Sequence, residues 1–456
     1  MILREFIRDR RGIFVNLKIK RILGISAGLL AAILIWYCGH LNGIQGQKTE
    51  TVKNVSDVAT ENSEYLYETE NLDEEMAAYE MTETVTEEPD EDTESAEKEI
   101  DIVAEAQNKV AAMSLEQKVA QLFVVTPEAL TGSGSVTAAG ETTRMALREY
   151  PVGGLIYFEQ NVQTKEQVCK MTAGQQQYSR ESIGLPLFIS IDEEGGKVAR
   201  IANDSQITEP HFPSMSEIAQ MPDAQDEAAN VGSTIGSYLK ELGFNLDFAP
   251  VADVLTNPEN TVVKQRSFGS DPQKVSELSL LVCQNLEAQG VYGCYKHFPG
   301  HGATAGDTHK GFSYTDKTLD ELKQEELIPF EAAVAEGCSF IMVGHISVPE
   351  VTGNDVPASL SEKVVTDLLR NEMQYDGLII TDAMNMGAIA NQYNSAEAAV
   401  MAVQAGDDLI LMPKDFKTAY QGVLDAVRNG TISEERIDTS VTRIVTKKLE
   451  MEQMGE

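Results

Sequence analysis

The stretch Gly377-Leu-Ile-Ile-Thr-Asp-Ala-Met384 carries the reading of the fold. Leu378, Ile379 and Ile380 form a short, unbroken apolar run, the composition of a strand covered on both faces. The run ends abruptly in Thr381 and Asp382. A polar pair just after a buried parallel strand falls at the C-terminal mouth of a β/α unit, where such folds place their chemistry. Seven further segments share this form: Leu122–Val125, Gly154–Phe158, Pro186–Ile191, Asn245–Val251, Gly293–Tyr295, Phe340–Val343 and Asp408–Leu411. Eight is the number a closed parallel barrel needs.

Helical patterns fill the intervals. Asp226–Leu242 and Val275–Ala288 carry apolar residues at helical spacing. Ser114-Leu-Glu-Gln117 and Thr318-Leu-Asp-Glu321 are capping-box patterns, and Gly243, Gly290 and Gly406 fall where helices should stop. The alternation predicts an α/β fold of the (β/α)₈ TIM type. A doubly wound open sheet is the rival, but no G-x-G-x-x-G opens a helix.

The barrel pattern occupies about residues 106–456 of the 456. Ahead of it, residues 1–21 form a basic segment with Arg4, Arg8, Arg10, Arg11, Lys18, Lys20 and Arg21. An apolar run from Ile22 to Cys38 follows, and residues 22–41 are expected to be a transmembrane signal-anchor with its basic flank in the cytoplasm. That orientation puts the barrel on the extracellular side of the cell membrane. The rival is secretion after signal cleavage, although no A-x-A site follows the run. Trp36 and Tyr37 are bulky where small residues usually precede a lipidated cysteine. Residues 42–105 are expected to be a disordered acidic linker. Between Gly46 and Glu105 there are 21 acidic and 3 basic side chains, half of the chain's formal charge of −36. Such a segment has too little apolar surface to offset ordering entropy. An acidic balance without a basic face excludes nucleic acid as a partner. The five cysteines show no C-x-x-C and no metal-finger spacing, and read as free thiols.

Polar clusters sit at the strand ends. The third strand runs into Ile191-Asp-Glu-Glu-Gly-Gly-Lys-Val-Ala-Arg200. Asp192 could accept hydrogen bonds from sugar hydroxyls, Arg200 could donate, and the glycines let the backbone approach a ligand closely. The fourth strand contains Asp247 and Asp253, buried carboxylates that need partners. Their bland reading is hydrogen bonding to loops. Arg266, in Arg266-Ser-Phe-Gly269, offers a fork of donors. The fifth strand ends in Lys296-His-Phe-Pro-Gly-His-Gly302, then Asp307-Thr-His309, which holds three of the six histidines. Asp307 and His309 are two residues apart, so a turn could pair carboxylate and imidazole for proton transfer. His297 and His301 flank a turn rather than sharing a helix face, so no metal site is expected. Asp382 could act as a nucleophile or merely cap a helix. His345 could face a ligand or be structural.

Taken together, Asp192–Arg200, Arg266–Gly269, Lys296–His309 and Thr381–Gly387 resemble glycoside hydrolase family 3. The likeness is to its single-domain bacterial β-N-acetylhexosaminidases and spans about Ala111 to Met451. The resemblance implies a retaining exo-β-N-acetylglucosaminidase without a cofactor. Asp382 would be the nucleophile and His309, assisted by Asp307, the acid/base. Asp192, Arg200, Arg266, Lys296 and His297 would hold the terminal sugar, with no obligate protein partner. The expected membrane anchor shifts the substrate toward cell-wall-derived or other extracellular glycans. The alternatives are an N-acetylglucosaminide phosphorylase, a β-glucosidase of the same family, or a non-catalytic envelope glycan-binding protein.

Overall fold

A computed structural model of the chain describes residues 3–8, 14–19, 91–203, 207–304, 306–308, 311 and 313–454. The chain divides into two units, Met1–Glu88 and Pro89–Glu456. In the first, Leu3–Arg8 pairs antiparallel with Phe14–Ile19. The expected membrane-spanning run, residues 22–41, lies outside the described residues, as do residues 42–90 of the expected linker. Among the described residues no helix is long and apolar enough to cross a membrane.

The second unit is an eight-stranded, all-parallel, nearly closed barrel. Its strands are β1 (Phe123–Val125), β2 (Gly154–Ile156), β3 (Phe188–Ile191), β4 (Leu246–Asp247), β5 (Tyr292–Phe298), β6 (Phe340–Val343), β7 (Leu378–Thr381) and β8 (Ile410–Leu411). Each pairs with its neighbours in sequence from β1 to β7, and β8 pairs with β1. The last seam, β7 to β8, is held by the Ile380–Leu409 bridge and by N–H donation from Thr381 to Leu409 O. All eight segments expected from the apolar runs are therefore strands, in the expected order.

Helices cross between the strands where the sequence pattern placed them. Ala224–Glu241 and Pro272–Glu287 match their expected ranges to within three residues. Both capping boxes form, at Ser114 and at Thr318. The barrel interior is filled by side chains. Phe188 of β3 meets Phe340 of β6 edge to face at 5.3 Å, although those strands stand three places apart in the ring.

One expectation needs correction. The linker was expected to be disordered to residue 105, yet a helix spans Glu91–Ala112. Ile102, Ala106 and Val110, spaced by four, are buried in the main core, and the helix packs along the C-terminal helix Glu434–Met454. Three apolar residues on one face outweigh the acidic composition once a partner helix covers them.

Candidate active site

The C-terminal ends of β2, β3, β5, β7 and β8 surround a cleft of about 610 Å³. Asp192, Arg200, Arg266, Lys296, His297, Asp307 and Asp382 all line it. Seven of the eight residues singled out from sequence thus converge on one mouth of the barrel. The eighth, His309, lies outside the described residues.

The Asp192–Arg200 segment enters the cleft as a turn. Glu193–Gly195 pairs antiparallel with Val198–Ala199, so successive side chains alternate in direction. Asp192 and Glu194 face the cleft. Glu193 turns back, accepting from the Ile201 and Ala202 amides and from the Tyr238 hydroxyl. The glycines have a conformational role. Gly195 and Gly196 have φ of +84° and +57°, and a Cβ on Gly196 would lie 2.9 Å from Ser214 Cα. They make the left-handed turn and let it sit on the next loop.

A chain of hydrogen-bonded polar and charged groups runs across the floor. Asp253 Oδ2 accepts from His297 Nδ1 at 2.7 Å. His297 Nε2 lies 3.5 Å from Arg266 Nη2. Arg266 grips Glu194 bidentately, with Nε and Nη2 each at 2.7 Å. Lys296 Nζ bridges Glu194 at 2.7 Å and Asp192 at 2.8 Å. Burial alone would neutralise these groups, but mutual attraction wins. Glu194 is held far below the usual carboxylate range by Arg266 and Lys296 against its desolvation. Lys296 is correspondingly pushed up by Asp192 and Glu194. Glu194 is the main residue that the sequence reading passed over.

Asp382 follows β7 directly and keeps partial exposure to the cleft. Its N–H donates to Val343 O at 2.8 Å, and its Oδ1 accepts from the Ala383 amide at 2.7 Å. Burial opposes its charge, yet the fields of His297, His345 and Lys296 together with that amide bring its pKa to about 2. A carboxylate so held is fully ionised at neutral pH and poor as a proton donor. His345, undecided from sequence, is buried and structural in its bonds: Nε2 donates to Ala383 O at 3.0 Å, and Nδ1 lies 2.7 Å from Ser359 Oγ. It steadies the residue next to Asp382.

The loop after β5 brings Asp307 to the same cleft. A Cβ on Gly302 would lie 1.8 Å from Val254 O, so only glycine lets the loop leave the strand there. Thr308 O accepts from the Ala388 amide at 3.0 Å, tying this loop to the short helix Gly387–Ala390 beyond Asp382. His301 is buried, with Nδ1 2.8 Å from Thr304 Oγ1 and Nε2 3.3 Å from Thr308 Oγ1. It braces the loop. Among the described residues no group of His, Cys, Asp and Glu could hold a metal ion.

A parallel barrel with an ionised carboxylate and a set of charged hydrogen-bonding groups at its C-terminal mouth has the architecture of a TIM-type enzyme. The chain belongs to glycosyl hydrolase family 3: the model of that family's N-terminal domain matches residues 114–447. It is 37% identical over 347 residues to β-hexosaminidase A of Pseudoalteromonas piscicida, covering 70% of this chain and 58% of that one. It is 38% identical over 272 residues to the β-hexosaminidase LpqI of Mycobacterium tuberculosis, covering 58% and 68%. Among solved structures, the family 3 β-N-acetylglucosaminidase of Paenibacillus sp. FPU-7 superposes with a TM-score of 0.69 at 37% identity, over 75% of this chain and 64% of that one. The chain therefore spans less than two thirds of the Pseudoalteromonas and Paenibacillus proteins.

Proposed function

We propose that the chain is a retaining exo-β-N-acetylglucosaminidase acting on terminal β-linked N-acetylglucosamine. The observation that carries this is Asp382, an ionised carboxylate in a cleft of about 610 Å³ that is also lined by hydrogen-bonding groups of both signs. Asp382 is the nucleophile: it attacks the anomeric carbon and forms a covalent glycosyl intermediate. With a pKa of about 2 it cannot serve as the acid. That role is assigned to His309, with Asp307 orienting the ring and raising its basicity. His309 protonates the departing oxygen and then activates water. Asp192, Lys296 and His297 take the sugar hydroxyls. Arg266, already engaged with Glu194, offers its remaining donors, and Arg200 sits at the rim between Glu159 and Asp192. The names of the relatives support the acetamido sugar.

The same proposal includes residues 22–41 as a membrane anchor, with the barrel displayed extracellularly on an acidic tether. Cell-wall-derived glycans are the substrates within reach of such a display.

The test is an activity panel on the purified chain: 4-nitrophenyl N-acetyl-β-glucosaminide and the corresponding glucoside, each with and without phosphate. Rapid release from the N-acetylglucosaminide alone, indifferent to phosphate, is expected. Preference for the glucoside, dependence on phosphate, or glycan binding without turnover would each overturn the assignment.

A further inference from the structure

The proposed reaction uses His297 as a sugar-binding group, and one buried carboxylate behind it is so far unexplained. Asp253 lies in the loop after β4, fully buried, and collects three donors from the end of β5 and the loop that follows. Its Oδ1 accepts from the backbone amides of His297 at 3.1 Å and His301 at 2.6 Å. Its Oδ2 stands 2.7 Å from His297 Nδ1. An ionised carboxylate only accepts, so Nδ1 must carry a proton. That Asp253 is ionised follows from its setting. Desolvation would raise its pKa, but His297, His301 and their N–H groups bring it below the ordinary value.

A second contact agrees with this tautomer. His297 Nε2 faces Arg266 Nη2 at 3.5 Å, and a guanidinium nitrogen can only donate. Nε2 is therefore the side of the ring without a proton; with Nη2 bonded to Glu194 at 2.7 Å, the 3.5 Å contact leaves the single Nε2 lone pair open to the cleft.

We propose that Asp253 is a positioning residue that locks His297 in the Nδ1–H tautomer, so that Nε2 presents a lone pair to a sugar hydroxyl. His297 then reads its hydroxyl as an acceptor, complementing Lys296, which can only donate. This rests on the proposed glycosidase reading.

Histidine-selective ¹⁵N NMR on the full chain near pH 8 tests the lock without any variant. His297 should show a protonated Nδ1 and a bare Nε2; a bare Nδ1 would overturn the inference. Asp253→Asn supplies the wrong group, since its amide NH₂ donates toward Nδ1 and drives the proton to Nε2. The tautomer signals should exchange, and kcat/KM should fall about 10- to 100-fold, the usual loss when a buried acceptor is replaced by a clashing donor. In a His297→Gln background the same substitution should cost less than about threefold, because coupled residues are not additive. An equal loss in both backgrounds would make Asp253 merely structural. If Asp253→Asn fails to fold, the wild-type tautomer alone decides. Absence of N-acetylglucosaminidase activity in the wild type would sink the proposed function and leave the tautomer measurement standing.

Discussion

Lys448, on the C-terminal helix, is completely buried near the foot of the barrel. Its Nζ donates to Gln121 Oε1 at 2.7 Å and sits 5.3 Å from the centre of the Phe188 ring. Among the described residues no carboxylate bonds it. Desolvation brings its pKa from 10.5 to about 7. The sign follows from linkage. Below pH 7 the amine is charged in both folded and unfolded chains, and the native state bears the full cost of burying it. Between about 7 and 10.5 only the unfolded chain keeps the proton, so wild-type stability rises with pH, by at most about 1.4 kcal/mol per unit. Summed over that window the cost below pH 7 has a ceiling of about 5 kcal/mol. Lys448→Met removes it but strands Gln121 Oε1, a pH-independent loss of about 1–3 kcal/mol. The Met variant should thus be the more stable at pH 7, by up to about 2–4 kcal/mol, with the two chains crossing near pH 9. Urea unfolding followed by far-UV circular dichroism at pH 7, 8.5 and 10 measures the gap. A gap that does not narrow as pH rises would refute the reasoning.

Two other perturbations report on buried carboxylates. Asp407 is buried, neither of its carboxyl oxygens has a hydrogen-bond partner among the described residues, and its desolvation, reinforced by Asp408, pushes its pKa well up. The native chain therefore keeps a proton that the unfolded chain sheds above the ordinary carboxylate range. Wild-type stability falls as pH rises through that window, and Asp407→Asn should be increasingly the more stable from pH 5 to pH 8 by thermal unfolding; a constant difference would count against this. Glu194→Gln leaves Lys296 and Arg266 sharing one negative charge fewer. It should lower kcat/KM by about 100-fold or more and cost about 3–5 kcal/mol of stability, as breaking one side of a buried ion pair does. A variant within about threefold of wild type would show that the charge chain is dispensable.

The strands were legible because each is a compact apolar run closed by polar or turn residues, as in Gly377–Asp382. The site was legible for a related reason: charged residues at the ends of otherwise apolar runs have few structural explanations. What escaped notice depended on direction or on distant partners. Glu194 sat in a run of three carboxylates, and the two-residue period of a strand would have set it beside Asp192 and apart from Glu193. Asp253 was read as a loop-bonding carboxylate, correctly as far as it went. Its hold on His297 depends on the parallel register of β4 and β5, which no local pattern encodes. The helix Glu91–Ala112 was hidden by its charge, although Ile102, Ala106 and Val110 already marked one face. Lys448 could not have been foreseen as buried, since a lysine in a terminal helix ordinarily keeps its amine in water.

The most direct measurement is covalent trapping. The full chain treated with a 5-fluoro N-acetylglucosaminyl fluoride, digested and mapped by mass spectrometry, should carry one sugar on the peptide containing Asp382. The Asp382→Asn chain should carry none. A label on Asp192, Glu194 or Asp307, or product of inverted anomeric configuration with no label at all, would contradict the account.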